Sequence, residues 1–239
     1  MPLLEVSNLS KDFGGLRAVS RLSFVVEEGE ILGLIGPNGA GKTTVFNLIT
    51  GFLRPSMGEI RLAGASLVGL RPHAVTQRGV ARTFQIVKPF PKLSVRENVT
   101  LAAFMRLPAR RVAEAEACRM LDQVGLSAKQ ANLASDLTLA EQKRLEIARA
   151  LATRPRLLLL DEPMGGLNPT EVEDASALVA QLCHAGVTVI LVEHVMRAIM
   201  RISHRVVVIH HGEKIADDSP ERVVRDPEVI AAYLGERVA

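Results

Sequence analysis

The segment GPNGAGKTT, residues 36–44, constrains the fold of this chain more than any other part of its sequence. It follows the apolar run Ile31–Ile35, which predicts a buried parallel strand, and it precedes a helix predicted for Val45–Thr50. The spacing G-x-x-x-x-G-K-[ST] between a strand and a helix is typical of a phosphate-binding loop. Glycines let backbone N–H groups surround a phosphate, and the N-terminus of the next helix adds partial positive charge. We therefore predict an α/β core that binds a nucleotide through this loop.

Each part of the loop has an expected role. Lys42 should reach the β- and γ-phosphates of ATP, and the hydroxyl of Thr43 should ligate Mg²⁺. The residues predicted to bind the nucleotide are Gly36, Pro37, Asn38, Gly39, Ala40, Gly41, Lys42, Thr43 and Thr44. The expected cofactors are therefore ATP and Mg²⁺.

A pair of carboxylates, Asp161 and Glu162, follows the apolar run Leu157–Leu160. The carboxyl end of a parallel strand faces the ligand crevice of an open α/β sheet, so both side chains are expected beside the nucleotide. Asp161 would hold Mg²⁺, directly or through water. Glu162 would polarise the water that attacks the γ-phosphate.

The second half of the chain predicts a doubly wound parallel sheet, because strands and helices alternate there. The predicted elements are strand 157–160, helix 170–185, strand 187–192, helix 195–202, strand 206–209 and a final helix near 221–234. The length of 239 residues suits one domain, residues 1–239, better than two independent ones.

Two other regions differ from this alternation. Near the N-terminus, strands predicted at 3–6, 22–26, 57–62 and 65–67 indicate an antiparallel β layer, with residues 7–15 as a polar loop. Between about 87 and 155, Ala, Glu, Arg and Leu recur at helical spacing, which predicts an inserted α-helical subdomain. The fold class expected is an α/β P-loop NTPase core with a parallel sheet, the antiparallel layer and this insertion.

Composition and charge argue against several other classes of protein. The net charge is only +3, and the basic pairs are too short to form a nucleic-acid surface, so no nucleic-acid partner is expected. Cys118 and Cys183 lack metal-ligand spacing and are expected to be idle thiols in a reducing compartment. The N-terminus lacks signal-peptide character, and no apolar stretch approaches the roughly 20 residues that span a bilayer. We therefore expect a cytoplasmic chain that reaches a membrane only through partners.

The ordered set of motifs resembles the ATPase domain of ABC transporters, over essentially the whole chain. That resemblance implies an aromatic residue that stacks on adenine, for which Phe13 in KDFGG fits. It implies a glutamine that contacts Mg²⁺ and the γ-phosphate and takes part in catalysis, for which Gln85 in ARTFQ fits. It also implies a catalytic switch histidine after a late strand, for which His194 after VTVILVE fits.

The signature segment departs from this family. LTLAE, residues 137–141, stands where the family has LSGGQ, so both glycines are replaced. Thr138 and Glu141 still form a T-x-x-E capping box, and Thr138 keeps a hydroxyl for the phosphate held by the opposite subunit of a dimer. Leu139 and Ala140, however, add side chains where close backbone approach is expected. Two hypotheses stay open: an atypical but working signature, and a nucleotide-binding regulatory half with weak catalysis.

Several stretches narrow the resemblance to the ATPases of branched-chain amino-acid uptake systems and their amide and urea relatives: FGGLRAV, ARTFQIVKPFPKLSVRENV, LEIARALAT, EPMGGLNPTE and IADDSPERVVRDPEVIAAYLGE. Asn168, where Asp is common in the wider family, fits this branch, whereas Val195 replaces its usual Asp. The resemblance implies two membrane permeases, a second ATPase subunit in a head-to-tail homo- or heterodimer, and indirectly an extracytoplasmic solute-binding protein. It places the chain at the inner face of the cell membrane, as a peripheral subunit.

Two further alternatives remain. The ATPase of lipopolysaccharide export shares the character of the C-terminal stretch, but the RTFQ segment favours uptake. Soluble ABC ATPases that act on DNA or ribosomes usually carry coiled-coil or tandem ATPase segments, and neither is seen in this sequence.

Overall fold

The structure, a computed structural model, describes residues 2–234. Its larger sheet has six strands in the order β10-β9-β3-β8-β7-β6. These strands are β3 (Ile31–Ile35), β6 (Val80–Arg82), β7 (Leu157–Asp161), β8 (Thr188–Val192), β9 (Arg205–His210) and β10 (Glu213–Asp218). All neighbouring pairs are parallel except β9 and β10, which confirms the predicted sheet of an α/β core. Strands β3, β7 and β8 are buried along their whole length, as their continuous apolar sequence predicts.

The smaller sheet is antiparallel, with the order β2-β1-β4-β5. Its strands are β1 (Leu4–Phe13), β2 (Leu16–Val26), β4 (Met57–Leu62) and β5 (Ala65–Ser66). The prediction of a polar loop at residues 7–15 is wrong, because β1 continues to Phe13 and only two glycines separate it from β2. The pairing of β1 with β2 is interrupted by register shifts, so the polar residues of β1 do not show a clean alternation.

Apolar side chains form two main cores, one on each face of the larger sheet. Strand β3 contributes to both: Ile31 and Ile35 pack in one core, whereas Leu32 and Leu34 pack in the other. This division follows from the two-residue period of a strand. The sheet is therefore covered on both faces, and the segments that follow β3, β7 and β8 emerge at the same edge.

The helices are α1 (Lys42–Ile49), α2 (Pro72–Arg78), α3 (Val95–Ala103), α4 (Arg110–Gln123), α5 (Leu139–Leu151), α6 (Pro169–His184), α7 (Met196–Ile202), α8 (Pro220–Val223) and α9 (Pro227–Leu234). Helices α3, α4 and α5 lie between β6 and β7 and pack together through a shared core. Two 3₁₀ turns, Ser127–Lys129 and Ala134–Asp136, connect α4 to α5.

Helices α3, α5 and α6 each begin with a capping box. Ser94, Thr138 and Asn168 are the N-caps of α3, α5 and α6, and each accepts a hydrogen bond from a backbone N–H three residues on. The glutamate at that third position accepts a hydrogen bond from the backbone N–H of the N-cap residue. Two N–H groups that would otherwise lack a partner are thus satisfied. The capping box predicted at Thr138 is thus confirmed.

The C-terminal region differs from the sequence prediction. The single helix predicted near 221–234 is two helices, α8 and α9, and Asp226 at their junction accepts hydrogen bonds from the backbone N–H groups of Glu228 and Val229. Pro227 disfavours helical geometry at the residue before it, so the chain stops and restarts there. Gly235 and Glu236 of the AYLGE stretch lie outside the described residues. Within residues 2–234, no helix combines the length and the apolar character that crossing a membrane would need.

Candidate functional site

The phosphate-binding loop connects β3 to α1 and is held by close backbone contacts. At Gly36 an added Cβ would lie 2.0 Å from the carbonyl oxygen of Ile209. Gly41 has a φ of +107°, and a Cβ there would lie 2.6 Å from the carbonyl oxygen of Ala18. Only glycine fits both positions. Lys42 Nζ donates to the carbonyl oxygens of Gly36 (2.6 Å) and Pro37 (2.8 Å), so its ammonium group lies across the loop.

A cavity of about 300 Å³ opens beside this loop. Most of the residues predicted from the sequence line it together: Asn38, Gly39, Ala40, Gly41, Lys42, Thr43, Thr44, Gln85, Glu162 and His194, with Ala18 and Val192. Gly36 and Pro37 form the base of the loop and contact Lys42 rather than the cavity. The structure therefore brings predicted residues from four separate parts of the sequence to one cavity.

In this cavity the side chain of Glu162 contacts two others, those of His194 and Gln85. Glu162 Oε1 lies 2.8 Å from His194 Nε2, and Gln85 Nε2 donates to Glu162 Oε2 at 2.9 Å. Glu162 has a φ of +50°, a backbone conformation that non-glycine residues rarely adopt. Residues held in such conformations are often part of functional sites. The glutamate is thus fixed between a histidine and an amide, next to the phosphate-binding loop.

Asp161 faces a second cavity, of about 460 Å³, which shares Thr43 and Gln85 with the first. Its Oδ2 accepts a hydrogen bond from Arg82 Nη2 at 2.6 Å, and both side chains are almost fully buried. Arg82 Nη1 also donates to Asn47 Oδ1 at 2.6 Å, and the guanidinium lies over the rings of Phe46 and Phe84. Sequence reasoning missed Arg82, although it precedes Gln85 by only three residues.

Two more buried charges, Lys143 of α5 and Glu193 at the end of β8, lie near Glu162 and were also missed. Burial raises the pKa of the Glu193 carboxyl and lowers the pKa of the Lys143 ammonium group, because desolvation penalises the charged forms. The sequence indicated them only by their position: Glu193 immediately precedes His194, and Lys143 lies two residues after Glu141.

Besides Gly36 and Pro37, two more predicted residues, Phe13 and Thr138, line neither cavity. Phe13 ends β1, its ring is half-exposed, and Lys11 Nζ lies 5.1 Å from the ring centre. Thr138 is exposed at the start of α5, where its hydroxyl accepts from Glu141 N. Leu139, beside it, approaches Gly166, at which an added Cβ would lie 3.1 Å from Leu139 Cδ2. The adenine contact of Phe13 and the phosphate contact of Thr138 stay predictions.

The donor atoms of this site fit a nucleotide and a hard cation. A hydroxyl (Thr43), a carboxylate (Asp161) and an amide (Gln85) line one cavity, and oxygen atoms of these types are the ligands that Mg²⁺ prefers. In the described part of the chain, no group of three or more His, Cys, Asp or Glu residues is placed to hold a metal ion. A cation here would therefore share its coordination between these few side chains, water and phosphate oxygens.

Comparison with known families and structures agrees with this geometry. The profile of the ABC transporter family matches residues 19–165. The profile described as a branched-chain amino acid ATP-binding cassette transporter matches residues 213–239. The crystal structure of the ADP conformation of MJ1267, an ATP-binding cassette of an ABC transporter, superposes with a TM-score of 0.90 at 28% identity, covering 98% of this chain and 99% of that one.

Relatives with curated names are similar over nearly the full length. The high-affinity branched-chain amino acid transport ATP-binding protein BraF of Pseudomonas aeruginosa is 46% identical over 98% of each chain. LivG of Salmonella typhimurium, with the same description, is 43% identical over 98% of each. The lipopolysaccharide export system ATP-binding protein LptB of Haemophilus influenzae is 35% identical over 99% of each.

Proposed function

This chain belongs to the ABC transporter family as an ATP-hydrolysing subunit, and from that premise we propose that it powers the import of branched-chain amino acids or related amides or urea. The observation that carries the catalytic part of this proposal is the contact of Glu162 with both His194 and Gln85 in the cavity beside the phosphate-binding loop. The uptake assignment is supported by the higher identity to BraF and LivG, 46% and 43%, than to LptB, 35%.

Each side chain then has a defined task. The backbone N–H groups of residues 38–44 and the ammonium group of Lys42 bind the phosphates. Glu162 accepts a hydrogen bond from the attacking water and polarises it, while His194 and Gln85 orient that carboxylate. Thr43, Asp161 and Gln85 would hold Mg²⁺, which when bound neutralises charge on the β- and γ-phosphates. Phe13, half-exposed at the end of β1, would stack on adenine.

We also propose that the site is completed by a second ATPase subunit, arranged head to tail. Thr138 and the N-terminus of α5 are exposed and lie outside the cavity of their own chain, so they are free to face the nucleotide of a partner. Some contacts between the subunits would form only when nucleotide is bound. ATP would therefore bind the closed dimer more tightly than the open one and shift the equilibrium towards the closed dimer. Hydrolysis and phosphate release would reopen it.

The chain would form one ATPase domain, residues 1–239, with a helical subdomain inserted at about 87–155. The segment after Gln85 and this subdomain would transmit the conformational change to two permeases. Large apolar side chains are exposed in and next to this part of the chain: Phe84, Ile86, Phe90, Leu101, Phe104 and Met105. Exposed apolar groups of this kind mark protein interfaces. The chain would thus lie on the inner face of the cell membrane, bound to permeases that receive solute from an extracytoplasmic binding protein.

The variant Glu162→Gln tests the catalytic assignment. It should bind ATP about as tightly as wild type yet hydrolyse it at least about a hundredfold more slowly, because an amide is a poor base. Fluorescent-nucleotide binding and phosphate release measure the two quantities on the full chain. The matched control is Glu173→Gln, an exposed glutamate on α6 outside both cavities, which should behave as wild type. Near-normal hydrolysis by Glu162→Gln would overturn the role of Glu162.

A second candidate function, a regulatory subunit with weak catalysis, is favoured by one observation: Leu139 and Ala140 replace the signature glycines. The two functions are separated by Lys42→Ala in this chain within the reconstituted transporter. A catalytic subunit would lose most transport and single-turnover hydrolysis with this change. A regulatory subunit would leave both largely intact.

A further inference from the structure

Glu193, the residue before His194, is a buried carboxylate that joins two loops of the site. It is 2% exposed. One oxygen accepts from the backbone N–H of Met164, and the other accepts from the backbone N–H of His194 at 3.1 Å. The N–H of Val195 donates to the same carboxylate. Met164 belongs to the loop that follows Glu162, so a single side chain connects the backbone of the glutamate loop to that of the histidine loop.

Lys143 brings a third element to the same place. It lies on α5, five residues after Thr138, and is 8% exposed. Its Nζ donates to the backbone carbonyl oxygen of Glu162 at 2.7 Å. The charges of Lys143 and Glu193 each favour the ionised form of the other and oppose the effect of burial on the pKa of both groups. A buried carboxylate and a buried ammonium group therefore compensate one another directly behind Glu162.

These contacts bear on the catalytic geometry. The positive φ of Glu162 is unfavourable for a residue with a side chain, so the surrounding contacts must hold it. Its carboxylate reaches His194 only while the two loops keep their separation. We propose that Glu193 and Lys143 are positioning residues, which hold Glu162 and His194 in register and link them to the signature helix α5 of the same chain. This rests on the proposed catalytic roles of Glu162 and His194.

The test is Glu193→Gln in the full chain, with nucleotide affinity and turnover measured separately. Glutamine has nearly the same shape, but its NH₂ group cannot accept from the backbone donors that the second carboxylate oxygen serves. We expect turnover at saturating ATP to fall at least about tenfold, since small misplacements of reacting groups cost up to about a hundredfold in rate. The Kd for a fluorescent ATP analogue should stay within about twofold, because no phosphate-loop contact changes.

Glu116→Gln is the matched control. Glu116 is also buried and is held by Arg119 and Arg154, outside both cavities of the site. Glu116→Gln should lower the midpoint temperature of thermal unfolding, while turnover per folded molecule stays at the wild-type level. If Glu193→Gln behaves like this control, losing stability but not turnover, the positioning role is overturned.

Lys143→Met keeps the proposal testable if the glutamine variant does not fold. Because Lys143 and Glu193 act together, Lys143→Met should lower turnover by a factor similar to that of Glu193→Gln. The turnover of the double variant should be little lower than that of either single variant. Wild-type turnover in Lys143→Met would contradict the proposal. Failure of wild type itself to bind the ATP analogue or to hydrolyse ATP would instead contradict the proposed function, so the two failures are distinguishable.

Discussion

At the scale of single residues, the ion pair of Arg82 with Asp161 is the most consequential contact that the structure adds. Both side chains are almost fully buried, and Oδ2 of Asp161 has Arg82 as its partner at 2.6 Å. Replacing Arg82 by Met should lower the free energy of unfolding of the nucleotide-free chain by about 3–5 kcal/mol, because it leaves a buried carboxylate without its counter-charge. Chemical denaturation monitored by circular dichroism measures this change.

The control for that prediction is Arg17→Met. Arg17 pairs with Asp12 at 2.7 Å, but both side chains are well exposed to solvent. A surface pair of this kind contributes less than about 1 kcal/mol. If Arg82→Met and Arg17→Met lower the free energy of unfolding by the same amount, the buried pair stabilises the chain no more than the exposed pair does.

Single residues also show where sequence reasoning succeeds. Glu162 was expected beside the nucleotide because it follows a buried parallel strand, whose carboxyl end faces the ligand crevice. Gln85 and His194 were expected there from the resemblance to the ABC family, and the three side chains line one cavity. Arg82, Lys143 and Glu193 were not predicted, because burial of a charged side chain depends on partners that are distant in sequence. Asp161 is 79 residues from Arg82, and no local pattern indicates that pairing.

At the scale of elements, the start of helix α5 is set by a local motif that the sequence does reveal. Thr138 accepts from Glu141 N, and the Glu141 carboxylate accepts from Thr138 N at 3.0 Å. Thr138→Ala should lower the free energy of unfolding by about 1 kcal/mol, because the backbone N–H of Glu141 loses the side-chain oxygen that accepts its hydrogen bond. Thr138→Ser, which keeps the hydroxyl, should unfold near the wild-type denaturant concentration. An alanine variant as stable as wild type would contradict the cap's contribution.

Sequence patterns failed to predict strands that form mainly because they pair with strands elsewhere in the chain. Strand β1 runs through the polar residues 7–13 because β2 and β4 pair with it on both sides. Strand β10 has no apolar alternation, yet it forms by pairing with β9 at the edge of the sheet. The short elements α2 and β6 gave no periodic signal over so few residues. Strands with a continuous apolar sequence, such as β7, were predicted within one residue of their observed ends.

At the scale of the whole molecule, the sheet order supports the proposal that two chains share a nucleotide site. Strands β3, β7 and β8 are neighbours, so the loops that follow them meet at the phosphate-binding cavity. The start of α5, which carries the signature segment, lines neither that cavity nor the one beside Asp161. Its contacts in the same chain are instead with the loop after Glu162, through Leu139 at Gly166 and Lys143 at the Glu162 carbonyl.

This arrangement predicts that ATP drives self-association when hydrolysis is blocked. Glu162→Gln with ATP and Mg²⁺ should elute as a dimer of twice 25.9 kDa in size-exclusion chromatography with light scattering, and as a monomer with ADP. Lys42→Ala in the same background should remain monomeric, because its phosphate loop lacks the ammonium group. If Glu162→Gln stays monomeric alone at high ATP but dimerises with a second ATPase subunit, the replaced glycines at Leu139 and Ala140 restrict this chain to heterodimers. If Glu162→Gln with ATP stays monomeric both alone and in the presence of a second ATPase subunit, the shared site is contradicted, because the N-terminus of α5 would then face no nucleotide.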